Sequence, residues 1–157
     1  MVERAKIKSN EMGHIKNSIR KGEGNLTGFL GELMVVEAFP GAQESNTHNY
    51  DVVRNGRKLE VKSKDRTIEP SLSYDVSVAA YNTRQAADYY LFCSLLRNKN
   101  EEIPHTGFIL GFLAPEDFKS KARFIQKGRL DPTNNWKASC DCYNLSIGDL
   151  NRFNNLP

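Results

Sequence analysis

Two carboxylates and an ammonium stand close together in "NYDVVRNGRKLEVKSK", residues 49–64. They are Asp51, Glu60 and Lys62, and Asn55-Gly56 lies midway between the two acids. Asn-Gly between two β-like runs is the strongest short-range hairpin signal, because a type I′ turn needs positive φ at both central positions. Such a loop pairs Arg54 with Arg57, Val53 with Lys58, Val52 with Leu59 and Asp51 with Glu60. Side chains alternate along a strand, so Val52, Leu59 and Val61 share an apolar face while Asp51, Glu60 and Lys62 share the other. Directly opposed like charges destabilise a sheet. The pairing makes physical sense if a divalent cation lies between the acids, since Mg²⁺ takes a few carboxylate oxygens and keeps several waters. Such a cation can hold a phosphate oxygen and acidify water. Lys62 could then orient that water, accept its proton, or stabilise charge developing on phosphorus. The plainer alternative is a solvated face of an edge hairpin, with Lys58, Glu60, Lys62 and Lys64 pointing to water.

The elements around the hairpin follow from spacing. Leu26, Phe29, Leu30, Leu33, Val36 and Phe39 recur at helical intervals, which predicts a helix with one face in a core. A shorter helix is expected over 9–21, capped by Ser9 or Asn10, and "PGAQESNTHN" (40–49) reads as a turn-rich loop. "SYDVSVAAY" (73–81) alternates like a third strand, and "NTRQAAD" (82–88) has a capping-box pattern for a short helix. "YYLFCSLL" (89–96) is apolar almost throughout, the mark of a central strand buried on both faces, and "TGFILGFLA" (106–114) is a further buried strand. Pro115 opens a helix, 127–135 is a loop, 136–145 a late strand, and 146–153 a terminal helix capped by Ser146. The fold class is α/β, with a mixed central sheet of about five strands flanked by helices.

The chain has 157 residues, a length that favours one domain, with a basic segment over 1–24 and the motif-bearing core over 25–95. Its net charge of +3 permits a nucleic-acid partner without demanding one. Three cysteines and an N-terminus without an apolar signal region point to an intracellular, cytoplasmic protein. No apolar run approaches the ~20 residues of a membrane span. Cys140 and Cys142 share a strand face but lack partners at zinc-ligand spacing, and His14, His48 and His105 are scattered.

Asp51 followed by Glu60-Val61-Lys62 resembles the bipartite signature of the PD-(D/E)XK nucleases, the restriction-endonuclease-like superfamily. Its members typically carry an acidic residue on a helix, then an Asp on one strand, then (D/E)-x-K on the next. "GFLGELMVVEAF" supplies the helix, with Glu32 at the matching position and Glu37 as the competing acid. Gly28 and Gly31 beside Glu32 would let that helix approach the sheet or a phosphate closely. Tyr50 stands where the written pattern has Pro, a position that varies in the superfamily. Order and spacing also look like those of archaeal-type Holliday junction resolvases and small phage nucleases.

The resemblance implies a restriction-endonuclease-like fold and a nuclease that hydrolyses DNA phosphodiester bonds with Mg²⁺, or with Mn²⁺ in its place. Asp51, Glu60 and the Val61 backbone carbonyl would hold the metal, Lys62 would act on the attacking water, and Glu32 would assist. Lys64 and Arg66 after the motif, Arg84 and Gln85 after the third strand, and Lys16 and Arg20 near the N-terminus are candidate nucleic-acid contacts. Each has an ordinary alternative as surface charge or cap. Asp75 reads best as a surface acid. A homodimer would supply two sites for two strands. The alternatives are a Holliday junction resolvase and, from another class, a nucleic-acid-binding protein that keeps the fold without catalysis.

Overall fold

The computed structural model describes residues 1–12, 25–45, 47, 49–81 and 86–157. Its elements in chain order are α1 (Val2–Met12), α2 (Asn25–Ala38), β1 (Gln43–Glu44), β2 (Val52–Arg54), β3 (Arg57–Arg66) and β4 (Asp75–Ala79). There follow β5 (Tyr89–Leu96), β6 (Thr106–Leu113), α3 (Pro115–Lys121), β7 (Arg123–Ile125) and β8 (Cys142–Ser146). Five strands form a mixed sheet in the order β1-β2-β3-β5-β6, in which β3 and β5 run parallel and the other neighbours antiparallel. Among the described residues no helix is long and apolar enough to cross a membrane.

Each face of this sheet has its own core. On one side Val52, Leu59, Val61, Leu91 and Cys93 pack under Val35 and Phe39 at the end of α2. The next turns of α2 place Phe29, Leu30 and Leu33 against Leu95 and against Ala5 of α1. On the other side Tyr90, Phe92 and Leu113 meet Val76 and Val78 of β4, Phe118 of α3 and Leu145 of β8. β5 is therefore buried on both faces, as its apolar run predicts.

Several expectations change. A helix spans Val2–Met12, beginning before the expected start at residue 9, because Val2 and Ala5 find apolar partners on α2 and that packing outweighs the cap signal at Ser9; the rest of the expected 9–21 helix lies outside the described residues. Residues 13–24 lie outside the described part, as do 82–85 of the expected short helix; Ala86 to Asp88 are not helical. Gln43 and Glu44, read as loop, pair with Val53 and Val52 as an edge strand. The third strand does not join the main sheet but forms a second, antiparallel sheet in the order β4-β8-β7. The late strand begins only at Cys142, and Arg123–Ile125 adds a strand that the sequence reading lacked. β6 is an edge strand whose first half is partly exposed.

The terminal helix is replaced by two 3-10 turns, Ile147–Asp149 and Phe153–Asn155, and the Ser146 side chain makes no cap bond. The reason is competition for backbone groups. The N–H groups of Ile147 and Gly148 donate to the carbonyls of Tyr74 and Leu72, and Asn151 exchanges two hydrogen bonds with Phe112. Groups bonded across the fold are not free to build a helix.

Candidate active site

The hairpin turn closes as the sequence predicts. Asn55 and Gly56 both have positive φ, 50° and 73°, and the ladder runs Arg54↔Arg57, Val53↔Lys58, Val52↔Leu59. This register sends Val52, Leu59 and Val61 into the core and turns Glu60 and Lys62 to the opposite face. At Glu60, only 4% exposed, that face is covered, while Lys58 and Lys64 on either side of it are exposed as the plainer reading expects. In the parallel pairing Glu60 stands beside Tyr90 and Lys62 beside Phe92.

Asp51 departs from its expected place. The ladder ends at Val52↔Leu59, so Asp51 lies one residue beyond it instead of pairing with Glu60. Its N–H donates to the Leu59 carbonyl at 2.9 Å, and its Oδ2 accepts the Val61 N–H at 2.7 Å. The carboxylate thus takes over a β3 donor at the point where the first strand gives out. Val61, whose carbonyl is the further ligand implied by the resemblance, is thereby held next to Asp51 by its own N–H.

Lys62 Nζ donates to Glu60 Oε1 at 2.6 Å and lies 5.9 Å from the centre of the Tyr90 ring. Glu60 Oε2 is buried and has no hydrogen-bond partner among the described residues. A buried carboxylate oxygen without a donor is costly, and such groups persist where function requires them.

Glu32 reaches the same place from α2. Burial is the main reason that its carboxyl is pushed up to about 8; the charges of Asp51 and Glu60 add to this and Lys8 opposes it. Asp51 is pushed up to about 7, again chiefly by burial and then by Glu60, against the Val61 N–H, Lys62 and Lys8. The three acids therefore feel one another through protein of low polarity. Glu37, the competing acid on α2, is exposed. Gly31 seats the helix: a Cβ there would run into the Ser63 hydroxyl on β3. Gly28 faces open space, so the close approach belongs to Gly31 alone of the pair.

Two contributors escaped the sequence reading. Lys8 of α1 sits 2.8 Å from Glu44 and 3.9 Å from Glu32, and Arg4 lies 3.1 Å from Glu44. The only available signal was the pair of bases one helical turn apart, which usually marks a solvated face.

Lys64 and Arg66 continue the face of Glu60 and Lys62 along β3. Arg66 is a tied residue rather than loose surface charge. It donates to Ser94 Oγ at 3.0 Å and to the Asp75 carbonyl at 2.7 Å, and its guanidinium covers the Tyr74 ring. Lys64 Nζ turns toward the same carbonyl at 3.4 Å. Arg84, Gln85, Lys16 and Arg20 lie outside the described residues.

Asp75 is buried, not a surface acid, because Arg123 at 2.8 Å and Asn134 at 3.0 Å hold its Oδ2. Cys93 and Cys142 are buried and Cys140 partly so, as core and boundary thiols. Among the described residues no three His, Cys, Asp or Glu side chains gather as a ready metal cage. No family model matches the chain, and no curated protein matches it.

Proposed function

We propose that the chain is a Mg²⁺-dependent nuclease of restriction-endonuclease-like fold that hydrolyses DNA phosphodiester bonds. The carrying observation is the Glu60 carboxylate, buried on β3 with one oxygen on Lys62 and the other without a donor among the described residues. Its setting next to two further acids with raised pKa values supports the same reading. So does the order of elements: a helix with an acid, a hairpin with Asp51 and Glu60, then a strand parallel to β3.

The residues fit a cation. Glu60 Oε2 and the second oxygen of Asp51 would hold it, and two carboxylates with water completing the shell is an arrangement that suits Mg²⁺. When bound, the ion supplies positive charge to the scissile phosphate and acidity to water. Lys62, fixed by Glu60, is suited to act on the attacking water or on a phosphate oxygen. Glu32 is suited to take the water's proton, because a base works best with a pKa near the working pH. Lys8 holds Glu32 from the far side. Two copies would be needed for symmetric cuts in both strands of a duplex.

The test is cleavage of supercoiled plasmid, single-stranded DNA and a synthetic four-way junction in Mg²⁺, Mn²⁺ or EDTA. Metal-dependent cutting that disappears in Glu60→Ala and Lys62→Ala is expected. Binding of DNA without cutting, unchanged in both variants, would transfer the hairpin to a scaffold role. A strong preference for the junction would make the enzyme a resolvase.

A further inference from the structure

Beyond Lys62 the polar face of β3 runs into a cleft of about 670 Å³. Its walls include Lys64, Arg66, Tyr74, Thr133, Asn134 and Trp136. At ~3.3 Å per residue, Lys64 lies about 7 Å and Arg66 about 13 Å along the strand from Lys62. The nearest wall of the cleft thus stands one same-face residue beyond Lys62.

The charge of the cleft is cationic. Two acids line it: Asp65 is paired with Arg97 at 2.8 Å, and Asp75 shares Arg123, at 2.8 Å, with Asp131, so these groups together carry one negative charge against the two positive charges of Lys64 and Arg66. Lys64 and Arg66 meet only neutral oxygens and an aromatic ring among the contacts described above, so their charge is left to the cleft.

The opposite wall holds Trp136, which is 42% exposed. Its loop is nevertheless tightly built. The Trp136 carbonyl accepts the Asp131 N–H at 2.7 Å, and its N–H donates to Asn134 Oδ1 at 2.9 Å. Asn134 in turn donates to the buried Asp75 carboxylate at 3.0 Å. A large ring left open to water on a loop anchored in this way is a preformed stacking surface, the device by which proteins hold unpaired bases.

We propose that this cleft binds an unpaired nucleotide strand next to the scissile phosphate, with a base on Trp136 and the backbone on Lys64 and Arg66. The cleft volume falls within the ~300–1,000 Å³ typical of pockets for ligands of nucleotide size. In a duplex the base faces are occupied by their neighbours and cannot reach the indole. The proposal rests on the nuclease reading only for the adjacency to cleavage; binding in the cleft stands or falls by itself.

Trp136 is the only tryptophan of the chain, so its fluorescence reports on the cleft directly. The probes are a short oligothymidylate, the matching RNA and a duplex of the same length, each titrated in EDTA so that nothing is cut. Saturable quenching by the single strands, with the duplex weaker by tenfold or more, is expected. With a dye on the oligonucleotide, Trp136→Ala should weaken binding roughly tenfold or more without lowering the melting temperature. Trp136→Phe should restore part of the loss, and Lys64→Ala should flatten the salt dependence by about one unit of slope. Equal quenching by duplex, or unchanged binding in Trp136→Ala, overturns the proposal. Metal-dependent cutting with a silent Trp136 would sink the cleft and leave the nuclease; quenching without cutting in Mg²⁺ would do the reverse.

Discussion

Two buried carboxylates, Asp131 on Arg123 and Asn144 of the second sheet and Glu60 on β3 of the first, are solved in opposite ways. Asp131 is completely buried, yet its carboxyl is held down to about 2. Burial alone would raise it; the Arg123 guanidinium, the Asn144 amide and the Thr133 N–H more than offset that. On the β3 side burial wins. Glu32 and Asp51 are pushed up to about 8 and about 7, and Glu60 keeps an oxygen with no donor among the described residues. An acid saturated with donors stabilises the fold in one protonation state. Acids crowded together and short of donors are held there by the surrounding structure, and the proposed cation would relieve their repulsion. That contrast separates Asp131 from the candidate active site; Asp75, bonded through Oδ2 and with Oδ1 buried without a partner among the described residues, stands between the two.

Substitution should separate the two regions most sharply. Glu60→Gln is expected to lower metal-dependent cleavage by about 10³-fold or more, the scale lost when a group essential to the chemistry is removed. The same change relieves crowding among acids, so the metal-free melting temperature should hold or rise. Asp131→Ala should do the opposite, costing about 2 kcal/mol of stability because it takes the acceptor of Asn144 and one of the two carboxylates on Arg123, while the folded fraction still cuts. Denaturant melts and cleavage rates of both variants check the pair. A destabilised Glu60→Gln protein would blur the distinction.

A smaller effect tests what seats the helix carrying Glu32. Gly31→Ala should cost about 1–3 kcal/mol, because the new methyl meets Ser63, and should slow cleavage by shifting Glu32. Gly28→Ala has open space and should gain about 0.5–1 kcal/mol from helix propensity. Equal behaviour of the two glycines would contradict the described packing of α2 on β3.

The pH dependence is the gentlest probe and has two signs. For Glu32 and Asp51 the native values, about 8 and about 7, lie above those of the unfolded chain. The metal-free native state keeps protons that the unfolded state releases. Stability should therefore fall as pH rises from about 4, where unfolded carboxyls titrate, through about 8. Asp131 lies below its ordinary value, so its contribution is present at neutral pH and is lost as pH falls toward 2. Melting temperatures across this range in EDTA should trace a dome with its top on the acid side. Glu32→Gln should flatten its alkaline limb and Asp131→Asn its acid limb.

What could be read from the sequence was local. Asn55-Gly56 set the hairpin register, alternation sorted Val52, Leu59 and Val61 from Glu60 and Lys62, and the apolar run marked β5. The second sheet was not legible because its pairings join distant segments, such as Asp75 with Ser146, and nothing in either segment names the other. The covering of Glu60 depends on that same sheet and on α3. Asp51 was placed correctly next to the acids but wrongly in the ladder, since its backbone leaves the strand where its carboxylate replaces a strand partner. Lys8 entered the site through helix packing, which a run of scattered lysines does not disclose.

The most direct measurement is the melting temperature as a function of Mg²⁺ at pH 8 for the parent protein and Glu60→Gln, each with and without a non-cleavable phosphorothioate oligonucleotide. A ligand that binds only the native state raises its stability. The account predicts a saturable rise of several degrees in the parent and none in the variant. No rise in the parent even with the oligonucleotide, or an equal rise in Glu60→Gln, would contradict a metal held by these carboxylates.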